Sequence, residues 1–198
     1  MSGLGTGMQQ TRGIRRSFAE RLLAAIKLDA SVFEEVEHDA SAMGQAVTVI
    51  ALASLAQGLG AAGHGWAARI VGGVLGGFVG WLVGTAVIWL IGVKLMKHTS
   101  DYQELLRTLA FASAPYFLMA LGVLPIGPLR DLLAVGVGLF VLIAFVIAVR
   151  QALDVSTGRA VLVCVLAMVA QMAVLFALLG LFVGTAGVVP PGVPAPTG

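Results

Sequence analysis

The sequence predicts an all-α polytopic membrane protein: a bundle of five transmembrane helices preceded by amphipathic helices on the cytoplasmic side. Three observations predict it. Charged residues make up 11% of the chain and hydrophobic ones 59%, whereas a soluble domain carries roughly 25% charged residues. The charges are also bunched: Asp, Glu, Lys and Arg are missing from residues 40–68, 70–93, 108–129, 132–149 and 160–198. A helix needs about 20 apolar residues to cross a bilayer core, and each of these windows approaches or exceeds that length. Too little amphipathic helix remains to wrap five wholly apolar ones as a soluble core.

The third observation is where the positive charge lies. Spans placed near 44–63, 70–93, 109–127, 132–149 and 160–184 divide the 12 basic residues unevenly. One side holds Arg12, Arg15, Arg16, Arg21, Lys27, Lys94, Lys97, Arg107, Arg150 and Arg159, and the other only Arg69 and Arg130. Lys and Arg collect in cytoplasmic loops, so the N-terminus is expected inside and the C-terminus outside, in a cell inner membrane.

Residues 1–13 are rich in Gly, Ser and Gln and read as disordered. From Ile14 to Leu28, apolar Ile14, Phe18, Leu22 and Ile26 recur every four residues between basic ones. That pattern suits a helix lying on an anionic inner leaflet. Ser31 and Glu34 have capping-box spacing, which predicts a second helix over 32–39 that leads into the first span. Layout also argues against a cleavable signal peptide, since the first apolar run begins about forty residues in, after an acidic stretch. In the second span Gly72, Gly76, Gly80 and Gly84 form a stripe that lets a helix approach closely, whether from the same chain or from a second copy. Ser100 or Asp101 is placed to cap a short helix before the third span. Pro115 is expected to kink that span, since proline removes a backbone donor inside a helix. The Pro- and Gly-rich stretch 186–198 reads as an extended outer tail.

Candidate chemistry is sparse. Glu35 and His38 have the Glu-x-x-His spacing of bundle metal sites, but no span supplies the further carboxylates, so a solvated helix end is the reading and no metal or cofactor is expected. The spans contain no His, Asp or Glu, which argues against intramembrane hydrolysis and against ion-coupled transport. Their polar groups are Gln45, Thr48, Ser54, Gln57, Thr85, Ser113, Tyr116 and Gln171, suited to bonds between helices or to a path for a neutral solute. Cys164 is alone, so no disulfide framework exists. Basic residues scattered at span ends do not form a nucleic-acid patch.

Three segments carry a family resemblance: Leu28-Asp29 with Val32–Asp39, Asp101–Arg107 with Phe111–Pro115, and Val149–Asp154. Together they resemble bacterial members of the Yip family, the Ypt/Rab-interacting membrane proteins, over roughly residues 20–185. The resemblance implies a five-span core over 40–185 behind cytoplasmic helices in 14–39. Eukaryotic relatives act in vesicle traffic and contact small GTPases, but this sequence lacks the Asp-Leu-Tyr-Gly-Pro motif seen before their spans, so the resemblance implies an architecture and not an activity. The expectation is a non-enzymatic scaffold or adaptor. Its candidate face for a membrane or cytoplasmic protein comprises Glu34, Glu35, Asp39, Asp101, Tyr102, Glu104, Arg107, Arg150 and Asp154. The alternative is a transporter or channel for a small uncharged solute.

Overall fold

The computed structural model describes residues 16–60, 66–97, 100–124 and 127–186, so the expected disordered stretch 1–13 and the outer tail beyond Ala186 lie outside the described residues. Two short helices, α1 (Phe18–Ile26) and α2 (Ala30–His38), lead through a 3-10 turn at Ala40–Ala42 into α3 (Met43–Gly60). Next come α4 (Trp66–Trp89), continued by a π-helical stretch Leu90–Leu95, then α5 (Tyr102–Ala112), α6 (Leu129–Ala152) and α7 (Thr157–Ala186). Between α5 and α6 runs a 3-10 segment, Ala114–Val123. Among the described residues five stretches are long and apolar enough to cross a membrane: Ala40–Gly60, Ile70–Leu95, Tyr102–Val123, Leu129–Ala152 and Thr157–Val174.

The third span begins at Tyr102, earlier than the expected residue 109. Asp101 opens its helix with a capping box, in which the Asp101 N–H donates to Glu104 Oε2 at 2.8 Å, and no break separates that start from the apolar run. The switch from α to 3-10 geometry falls at Ser113, with Pro115 in the first turn of the tighter helix. Proline interrupts the α ladder there.

Capping explains the two N-terminal helices. Ser17 and Glu20 form a capping box at α1, a Ser-x-x-Glu signal that the sequence reading passed over. At α2 the cap is Asp29, whose Oδ1 accepts from the Ser31 N–H at 3.0 Å and from its hydroxyl at 2.7 Å. Ser31 is thus inside the helix and not its cap. Leu28 joins the two helices at φ +59°. Its N–H donates to the Ala25 carbonyl, and that of Asp29 to Ala24, the paired bonds of a Schellman turn.

Packing and lipid exposure divide each span. Leu75, Val79, Leu132, Val135, Leu139, Val169 and Phe176 are all more than half exposed, an apolar surface that suits lipid and not water. Inward, α2 delivers Val32, Phe33 and Val36, all fully buried, into a cluster with Leu105 and Leu109 of α5 and Ala148 and Val149 of α6.

The glycine stripe is not the packing surface within the chain. A β-carbon at Gly72, Gly76 or Gly80 would meet nothing within 4 Å, and only one at Gly84 would press on a neighbour, Gln171 Nε2 at 2.6 Å. Close approach runs instead through Gly73, beside Gly58 Cα, and through Gly77, where the Ser54 hydroxyl fills the place of a side chain. Gly73 and Gly77 lie one residue on from Gly72 and Gly76, about 100° round the helix, and it is that face which α4 turns toward α3.

A close backbone contact joins the end of α3 to the 3-10 segment. A β-carbon at Gly60 would run into the Met119 carbonyl, and one at Gly122 would lie 3.0 Å from the Gly60 carbonyl oxygen. Arg130 donates to that same Gly60 oxygen, a cation closing a helix C-terminus. Gly60→Ala is therefore expected to destabilise the protein by about 1–3 kcal/mol, read as a lower melting temperature in detergent. Gly44→Ala, with open space around its β-carbon, should shift it slightly upward. Equal melting of the two variants would refute the close contact.

Candidate functional site

At the α1–α2 end of the bundle the chain builds an ionic network. Arg21 occupies the apolar side of α1, since Phe18, Arg21, Leu22 and Ala25 follow i, i+3, i+4, i+7 spacing. It is 2% exposed, yet its guanidinium is engaged on three sides. Nε and Nη2 donate to Glu35 Oε1 at 3.0 and 2.8 Å, Nη2 also reaches Asp39 Oδ2 at 2.7 Å, and Nη1 donates to Gln45 Oε1 at 2.9 Å. Arg16 adds a second layer through Asp29 Oδ2 at 3.1 Å and the Ser31 hydroxyl at 2.9 Å. These two arginines, expected to face an anionic leaflet, pair within the protein instead. The apolar stripe likewise packs on the bundle, with the Phe18 ring set edge-on to Phe111 at 6.4 Å.

The nine residues of the expected partner face divide by exposure. Glu34, Asp101, Arg150 and Asp154 are exposed, Glu35, Tyr102 and Glu104 are half-buried, and Asp39 and Arg107 are buried. Arg107 is 5% exposed and donates through Nε to the Val36 carbonyl at 3.0 Å and through Nη2 to the Glu37 carbonyl. It thereby closes the C-terminus of α2 and is not presented to a partner. Asp39 is held by Arg21 and accepts from the Ser41 N–H at 3.1 Å. Tyr102 donates to the Leu82 carbonyl at 2.9 Å, while Trp81 donates to Leu106 at 2.9 Å; the pair ties α4 to α5. Arg150 and Asp154 form no salt bridge with each other. Asp154 has left the helix at φ +49°, where its N–H donates to Gln151 and that of Val155 to Arg150.

Three separate stretches of sequence nonetheless converge. Burial pushes the Glu37 carboxyl up to about 7, with Glu104, Asp154 and Glu34 adding to the shift and His38 opposing it. The α2 carboxylates, the α5 cap and the α6 terminus thus share one electrostatic neighbourhood. His38 Nδ1 donates to the Glu34 carbonyl at 2.9 Å, and that bond raises the imidazole above its ordinary range. Among the described residues no group of three His, Cys, Asp or Glu is placed to hold a metal. Sequence reasoning missed Glu37, although it follows buried Phe33 at i+4 and so shares its face.

A second feature lies inside the spans. Six of the eight polar residues read from the sequence, Ser54, Gln57, Thr85, Ser113, Tyr116 and Gln171, line a single cavity of about 510 Å³. The other two are occupied elsewhere: Gln45 binds Arg21, and Thr48 donates to its own helix at the Gly44 carbonyl.

Against known proteins, the family model for the Yip1 domain matches residues 29–179. No curated protein and no solved structure matches the chain. The matched region begins at the Asp29 cap of α2 and takes in all five candidate spans.

Proposed function

The chain belongs to the Yip1 domain family, and from that premise we propose that it is a non-enzymatic membrane scaffold or adaptor. It sits in a cell inner membrane with its N-terminus in the cytoplasm and its C-terminus outside. The uneven split of Lys and Arg supports that orientation. The observation that supports the adaptor reading is the convergence of α2, the start of α5 and the end of α6 on one charged surface. Of the exposed residues Glu34, Asp101, Arg150 and Asp154, Glu34 rides on a helix held by the Arg21 network and by the Arg107 cap, Asp101 opens α5 in its capping box, and Asp154 is set by the turn that ends α6. A partner meets a preorganised face, and little ordering entropy is lost on binding.

The test is photocrosslinking in intact membranes, with a benzophenone amino acid placed at position 34, 101 or 154 of the full chain and at lipid-facing position 139 as control. One protein captured from the first three positions and not from the fourth, and lost from the position 101 probe on Glu34→Lys with Asp154→Lys, is the expected result. Capture of lipid alone at all four positions would overturn the adaptor reading.

A further inference from the structure

The intramembrane cavity carries an inference that does not depend on the adaptor reading. Its volume, about 510 Å³, falls in the range of small-molecule sites. Polar side chains reach it from α3, α4, the α5 to 3-10 junction and α7, while α6 contributes apolar wall. One of those polar groups is unsatisfied: Thr85 is 1% exposed and its Oγ1 has no hydrogen-bond partner. A buried hydroxyl left unpaired is unfavourable and uncommon. Helical threonines elsewhere in this chain avoid the problem by donating back one turn, Thr108 to the Glu104 carbonyl at 2.8 Å and Thr48 to Gly44 at 2.9 Å. Thr85 makes no such bond and sits in the cavity wall.

The walls decide the ligand's charge and origin. No Asp, Glu, Lys, Arg or His is among the described lining residues, and burying an ion without a counter-charge is strongly unfavourable. The ligand is therefore neutral. Lining residues Gly80, Gly138, Leu142 and Met168 are exposed, and each lies within a candidate span, so the cavity opens toward the bilayer. At Gly80 and Gly138 a β-carbon would meet nothing within 4 Å, which leaves the mouth wide.

We propose that this cavity binds an uncharged lipid from the membrane, whose hydroxyl or ester oxygen bonds Thr85 and the amides of Gln57 and Gln171 while its chains leave past Gly80 and Gly138. The site gives such a lipid polar partners that the surrounding hydrocarbon lacks.

The test uses the full chain in phosphatidylcholine vesicles containing a photoactivatable diacylglycerol with its diazirine near the glycerol. Label should map to residues 77–88 and 164–171, fall with excess unlabelled diacylglycerol, and resist millimolar glycerol in the aqueous phase. Thr85→Val keeps the shape of the side chain, so it should cut labelling at least fivefold while the protein melts no lower than wild type. Gly80→Phe should fill the mouth and remove the label. Label spread over lipid-facing positions such as Leu75 and Leu139, indifferent to both substitutions, would overturn the proposal. Displacement by aqueous glycerol would equally overturn the membrane origin of the ligand.

Discussion

Arg21→Met is expected to lower the stability of the protein by about 3 kcal/mol, because it removes a buried guanidinium that joins α1 to Glu35, Asp39 and Gln45. Methionine keeps most of the apolar stem that packs beneath α1, so the loss isolates the guanidinium. Asp39 is 8% exposed and Glu35 has a side chain 25% exposed; the lost pair with Asp39 therefore weighs more, and solvent relieves part of the loss at Glu35. Asp39→Asn separates charge from capping, since asparagine can still accept from the Ser41 N–H that closes the 3-10 turn. The double variant should be less destabilised than Arg21→Met alone. The check is the melting temperature in detergent with protease sensitivity of α1. Melting indistinguishable from wild type for Arg21→Met would show that the network does not hold the two helices.

Arg21 also marks where sequence reading stops. The five spans were legible because a bilayer imposes one requirement on every helix, about 20 apolar residues, and the charge-free windows met it. Helix ends were less legible, since capping depends on which of several adjacent polar residues turns inward: Asp29 takes the role that the Ser31–Glu34 spacing suggested. Arg21 and Arg107 read as surface cations because sequence alone does not show what a long side chain will reach. One finds carboxylates 14 and 18 residues onward, the other a helix end about 70 residues back. Within the chain, close approach falls on Gly73 and Gly77 and not on the stripe beside them, because the rotation of a helix about its axis is not written in glycine spacing. The polar residues of the spans were visible one by one, but their meeting in one cavity depends on the rotation of each helix about its axis.

Glu37→Gln is expected to stabilise the protein by about 3 kcal/mol at pH 8 and to have no effect near pH 4. The sign follows from burial: Glu37 is 8% exposed, and its carboxyl is raised from 4.5 to about 7 because the folded protein resists ionising it. Below 4.5 the folded and unfolded chains both carry the proton, and Glu37 leaves stability unaffected by pH. Between 4.5 and about 7 the unfolded chain ionises first, so stability falls as pH rises, and above that range the loss is complete. Each factor of ten in proton affinity is worth about 1.4 kcal/mol, which sets the magnitude. Melting temperature against pH for wild type and variant is the measurement: the curves should coincide at pH 4 and diverge toward pH 8, the variant melting higher. Parallel curves would mean that Glu37 ionises as freely in the folded protein as in the unfolded chain. The substitution also bears on the charged face. Exposed Glu34, Asp101 and Asp154 are untouched by it, so a partner held by them should still bind at pH 8, whereas a partner held by the ionised Glu37 carboxylate should be lost.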